Sequence, residues 1–122
     1  MKFNMRVLYY PEEGNIAELA EAIADSQNTT ADTIPLSGEL ENERLLFLGM
    51  EKVGRDSPKE LFDFCAELTP ERARNVALFG IGRGSDIEDL VGEVRVALTG
   101  QSIRVMNDIS VVEGKGGLLN RG

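Results

Sequence analysis

The stretch Met5-Arg6-Val7-Leu8-Tyr9-Tyr10-Pro11-Glu12-Glu13-Gly14-Asn15-Ile16 decides how the rest of the chain reads. Val7 to Tyr10 is a β-branched and aromatic block stopped by a proline, the pattern of a buried central strand. Beyond the loop Pro11 to Asn15, Ile16, Leu19, Ala20, Ile23 and Ala24 recur at helical spacing, with Glu18, Glu21 and Asp25 on the opposite side. That spacing predicts an amphipathic helix from Ile16 to Ser26. A strand feeding a helix through a short loop aims free backbone N–H groups and the positive end of the helix dipole at one spot. Such a spot favours an anion, and a phosphate is the first to consider.

Working outward, Ala31 to Leu36 reads as a second strand, and Pro35 within it assigns it to a sheet edge because proline donates nothing to a ladder. Leu45 to Met50 is the most continuous apolar run, which predicts a strand buried on both faces. The connector between them, Ser37 to Arg44, has only eight residues, short for a helical crossover between parallel neighbours. After the polar loop Met50 to Asp56, Ser57-Pro58-Lys59-Glu60 offers a serine cap, a proline at the first helical position and a glutamate three residues after the cap. The helix it opens runs to about Leu68 and buries Leu61, Phe62, Cys65 and Leu68. Asn75 to Ile81 is the fourth strand, followed by the glycine-rich loop Gly80 to Gly84.

Ser85-Asp86-Ile87-Glu88 reads as a second capping box. It opens a helix with Ile87, Leu90, Val91, Val94 and Leu98 inward, ending near Gly100 as its C-terminal glycine. Ser102 to Met106 is the fifth strand, with Ile109 to Val112 either extending it or pairing separately. Lys115 to Gly122 is glycine-rich and reads as a frayed tail. The alternation predicts one α/β domain over 1–122, a doubly wound five-stranded parallel sheet of order 2-1-3-4-5. Pro11 to Asn15, Met50 to Asp56 and Gly80 to Ser85 should then meet at the switch point beyond the strands' carboxyl ends.

Composition narrows the function classes. A formal net charge of −8 works against nucleic acid and anionic membranes and favours basic protein partners. No apolar run approaches the roughly 20 residues of a membrane span, and the N-terminal apolar segment is too short for a signal peptide, so a cytoplasmic location is expected. The chain has no histidine, which removes the usual general base, the nucleophilic triads and the His/Cys metal sites. Cys65, the only cysteine, sits among Phe62, Phe64 and Leu68 and reads as a small buried hydrophobe.

The run LYYPEEGNIAELAEAIA, with VALFG before a glycine-rich loop and a helix opening S-P-K-E-L, resembles the flavodoxins, most of all the short-chain ones. The resemblance runs through nearly the whole chain and implies a flavodoxin-like fold and an FMN-dependent one-electron carrier that docks on a basic redox partner. It implies that Pro11, Glu12, Glu13, Gly14, Asn15 and Ile16 surround the FMN phosphate. Met50, Val53 and Gly54 would lie against one face of the ring system, and Gly82, Arg83, Gly84 and Ser85 would border the other. Gly14-Asn15 matches the family's phosphate loop, whereas Pro11, Glu12, Glu13 and Ile16 stand where it carries hydroxyls. The third loop brings no aromatic, although Arg83 can lie flat on a ring. The last helix of the family has no counterpart in Glu113 to Gly122, which predicts a homodimer covering the bare sheet face. Two functions follow, an FMN carrier or a degenerate flavodoxin-like domain without flavin that serves as an interaction or accessory module.

Rival motifs fit less well. Gly80-x-Gly82-x-Gly84 follows the fourth strand rather than the first and has Ser85 where a dinucleotide fingerprint needs its third glycine. A phosphate receiver would need an aspartate where the third strand ends in Gly49-Met50. Glu12, Glu13 and Glu51 form a candidate oxygen set for a divalent cation.

Overall fold

Two strands without a polar residue in their middle set the architecture. β3 (Leu45–Glu51) and β4 (Asn75–Gly82) pair in parallel along most of their length, Leu46 opposite Val76 through Glu51 opposite Ile81. β1 (Met5–Tyr10) pairs on the other edge of β3, Met5 opposite Leu45 through Tyr10 opposite Met50. β2 (Ala31–Thr33) lies outside β1. The structure, a computed structural model, describes residues 5–12, 14–34, 44–52, 58–106 and 110–113. The connector Ser37 to Arg44 lies outside this range apart from Arg44, as does the tail beyond Glu113.

The sheet order is β2-β1-β3-β4-β5, as the alternation of elements predicts. The last strand is divided. β5 (Arg104–Val105) pairs with Asn75 and Val76, and β6 (Ser110–Glu113) pairs with Phe79 to Gly82. Since β3 takes one edge of β4, both segments lie along the other edge, and together they make up the fifth position of the sheet. Asn75 faces a residue 29 positions later and Phe79 one 31 positions later, so the pairing offset grows by two residues from one segment to the next.

Alternate residues of each strand divide the core in two. Leu46, Leu48, Met50, Val76 and Leu78 pack with α2 (Lys59–Glu67) and α3 (Gly84–Thr99). Val7, Tyr9, Phe79 and Ile81 pack with α1 (Asn15–Ser26). The helical stripes fall where their spacing puts them. Ile87, Leu90, Val91, Val94 and Leu98 are all buried, as are Leu61, Cys65 and Leu68, while Phe62 is half-buried. Gln101 ties the two helices on this side, its side-chain amide donating to the carbonyls of Ala66 at 2.7 Å and Leu68 at 3.2 Å. That satisfies acceptors which the end of α2 would otherwise leave free.

Several boundaries differ from the sequence reading, each for a local reason. β2 stops at Thr33, and Ile34 N–H makes the next bond to Tyr9 O at 3.2 Å. Pro35, read as lying inside this strand, falls outside the described residues and past the strand's last residue, Thr33. Pro58, not Ser57, is the cap of α2, its carbonyl accepting Leu61 N–H and Phe62 N–H. Ser57 itself lies outside the described residues. The Ser85–Glu88 capping box does not form, because Arg83 is the cap and its carbonyl accepts Asp86 N–H at 2.8 Å. Packing starts that helix early. Ile87 is pressed onto Gly80 and Gly82, where an added Cβ would come within 2.9 Å and 2.8 Å of it.

The ends of α1 and α3 share one geometry. In α3, Ile103 N–H reaches Leu98 O and Ser102 N–H reaches Thr99 O, the paired bonds of a Schellman turn. Its left-handed residue is Ser102, at φ 66°, while Gly100 stays in the right-handed region. In α1, Thr29 N–H reaches Ala24 O and Asn28 N–H reaches Asp25 O, with Asn28 at φ 59°. The glycine expected to end α3 thus sits two residues before the position that needs one.

Two stability measurements check this account. Ser102→Gly should raise the unfolding free energy by about 0.5 to 1 kcal/mol, the relief of a left-handed side chain less the entropy glycine adds to the unfolded chain, read as a higher urea midpoint. Gly49→Ala should lower it by roughly 1 to 3 kcal/mol, because the new methyl would stand 2.3 Å from the buried Phe79 ring.

Candidate functional site

The register brings the carboxyl ends of three strands close together. Tyr10 stands beside Met50, and Met50 beside Gly80, with β3 running one residue and β4 two residues past that rank. Lys52 N–H donates to Ile81 O at 3.2 Å, holding the first step beyond β3 against β4. The loops the sequence places at the switch point therefore leave from the same edge of the sheet.

The first loop opens with a cis Tyr10–Pro11 peptide bond. Pro11 is half-buried, Glu12 is exposed, and Glu13 lies outside the described residues. Gly14 caps α1 at φ 127°, ψ −176°, a backbone that side chains other than hydrogen resist. Asn15 is exposed and Ile16 fully buried.

A carboxylate from another strand occupies the start of this helix. Glu51, the last residue of β3, accepts the backbone N–H of Ile16 at 3.0 Å through Oε1. A Cβ on Gly14 would stand 2.6 Å from the same oxygen. The absent side chain at 14 and the free N–H at 16 together make a cradle that the Glu51 carboxylate fills. First-turn N–H groups have no carbonyl to reach within their own helix, and the dipole there favours negative charge, so the contact satisfies a donor and a field at once.

Glu51 is the residue of this arrangement that sequence reasoning placed poorly, since it entered only as a candidate cation ligand with Glu12 and Glu13. The sequence does carry a signal. Residues 46, 48 and 50 of β3 belong to the α2/α3 side, so 47, 49 and 51 face α1. Gly49 leaves that face bare one step before Glu51. Among the described residues no group of three or more His, Cys, Asp or Glu side chains is placed to hold a metal ion.

Of the residues set against a ring system by resemblance, Met50 is fully buried beneath α2 and α3, with no surface to offer. Val53 and Gly54 lie outside the described residues. Gly82 ends β4, Gly84 opens α3, and Arg83 and Ser85 are exposed at the turn between them. Tyr10 is half-buried, and its phenol is pushed above its usual range by burial first, then by the charge of Glu60 and the hydrogen bond between them.

Comparison with known structures accords with this geometry. Oxidised flavodoxin 2 from Bacillus cereus superposes with a TM-score of 0.72 over 90% of this chain and 84% of its own, at 19% sequence identity. The chain has a flavodoxin-like fold. No protein-family model matches it, and no curated protein does. At this level of identity the likeness carries the fold, and function has to be argued from the site.

The described residues do not fit FMN as a flavodoxin-like site would hold it. A phosphate at the α1 N-terminus would share it with the Glu51 carboxylate. Two unit charges about 4 Å apart repel by roughly 1 kcal/mol in water and about 4 kcal/mol near a protein surface, per unit of phosphate charge. The described part of the third loop offers no aromatic side chain, and Met50 is inaccessible. The carboxylate at the start of α1 is thus that of Glu51, while Glu12 of the first loop is exposed.

Cys65 is a buried free thiol, pushed up by burial from its ordinary 9.0 to about 12. A thiol that stays neutral in the fold and ionises more readily when unfolded stabilises the protein below pH 9. That contribution is lost as pH rises from about 9 toward 12, at about 1.4 kcal/mol per pH unit. Tyr9 and Tyr10, also raised mainly by burial, add the same sign of dependence above pH 10. Cys65→Ala should therefore differ from the parent chain in urea stability by about 1.4 kcal/mol less at pH 10 than at pH 8. A difference that does not change with pH would show the thiol to be solvated.

Proposed function

We propose that this chain is a flavodoxin-fold domain that works without tightly held FMN, as an acidic cytoplasmic interaction module docking on basic surfaces of partner proteins. The observation that carries this reading is the hydrogen bond from Ile16 N–H to Glu51, which gives the anion position of the fold to a side chain of the protein itself. The acid balance supports the partner class. With a net charge of −8, the domain keeps Glu18, Glu21, Asp25, Asp86, Glu88 and Asp89 exposed on α1 and α3, and such a field speeds encounter with cationic surfaces.

A second reading, a one-electron carrier with FMN between the three loops, is favoured by the closeness of the strand ends those loops leave and by the likeness to an oxidised flavodoxin. In that reading FMN would supply the redox chemistry and the chain its binding and orientation.

Flavin fluorescence on titrating FMN into the purified domain, at low ionic strength and without added phosphate, separates the two. The expected result is no quenching up to about 1 mM FMN, where association is worth only about 4 kcal/mol. Quenching with a sub-micromolar dissociation constant would establish the carrier instead.

A further inference from the structure

We propose that Glu51 is an internal ligand of the α1 N-terminus, a carboxylate standing where a phosphate would, and that it sets this domain's discrimination against phosphomonoesters. The inference deepens the flavin-free reading and rests on it. Two features make the contact more than a capping accident. Gly14 is held at φ 127° with its missing Cβ turned to the carboxylate, so the backbone is shaped around that group. Glu51 also arrives from 35 residues away in sequence, on a strand end fixed by pairing with both β1 and β4. A carboxylate delivered by a packed strand is pre-organised, so it meets little of the ordering cost that a free anion must overcome.

Among the described residues, the other carboxylates at this end of α1 are turned to solvent: Glu12 is exposed, and so is Glu18 in the first turn. Lys52, the next residue along the chain, is half-buried and is the cation nearest in sequence to the carboxylate. Removing the Glu51 charge should therefore leave the Ile16 N–H and the helix field free for an exogenous anion, while the fold keeps the shape of the cradle.

The test uses Glu51→Gln and Glu51→Ala beside the parent domain, with FMN, riboflavin and inorganic phosphate as probes. Both variants should bind FMN with a dissociation constant below about 0.1 mM, at least tenfold tighter than the roughly 1 mM up to which the parent shows no quenching, inorganic phosphate should compete, and riboflavin should gain nothing because it has no phosphate to seat. Variants that keep the parent's circular dichroism yet bind FMN no better would overturn the role of Glu51 and leave the flavin-free reading standing. An equal gain for riboflavin would also overturn it, since the gain would then lie at the ring. Sub-micromolar FMN binding by the parent would instead defeat the flavin-free reading itself.

Should both variants fail to fold, amide exchange in the parent domain still decides. The Ile16 N–H should exchange at least tenfold more slowly than in an unstructured peptide, and exchange at the peptide rate would show that Glu51 does not hold it.

Discussion

The parallel pairing of β1, β3 and β4 is the constraint on which the rest of the structure depends. Leu46, Leu48 and Met50 face one layer, Phe47 and Gly49 the other, and their partners on β4 repeat the division. A strand with apolar residues on both faces is stable only between two layers of covering structure, which places α1 on one side and α2 with α3 on the other. The same register brings the strand ends close together, and everything at the candidate site follows from that edge. Glu51 stands opposite Ile81 and reaches Ile16 because β3 ends one residue beyond the rank of Tyr10, Met50 and Gly80.

Close approach of helix to sheet is the second theme. At Gly80 and Gly82 the sheet has no side chains on the α3 side, and Ile87 descends onto the bare backbone. At Gly49 it is a ring of the neighbouring strand, Phe79 of β4, that lies over the bare backbone on the α1 side. The Ile87 contact moves an element boundary. With Ile87 drawn down, α3 begins at Gly84, and the serine that local chemistry marks as a cap ends inside the first turn. Capping preferences are worth about 1 kcal/mol each, which the burial of one large aliphatic side chain matches or exceeds.

The Glu51 contact shows how a fold can keep the form of an anion site while supplying the anion itself. The helix N-terminus needs acceptors whatever the protein does. A carboxylate within the chain, that of Glu51, meets that need at Ile16 without a ligand. Fold and chemistry thus separate here, and the flavodoxin-like architecture fixes where a ligand would bind without fixing that one does.

The sequence by itself determined the order of strands and helices, the edge place of β2 and the buried stripes of the three helices. The order and the stripes depend on periodicity, a local property of the chain, whereas the edge place of β2 was read from Pro35, which follows the strand's last residue, Thr33. The anionic character of the first loop was also legible, from Glu12 and Glu13, but not which carboxylate would matter. Tertiary structure alone decided that. Glu51 and Ile16 are 35 residues apart in sequence, and only the register of β3 against β1 brings one to the other. The same holds for Ser102 taking the left-handed position near Gly100, and for the change of pairing offset between β5 and β6. In each case several local solutions were open, and packing against a distant element selected one.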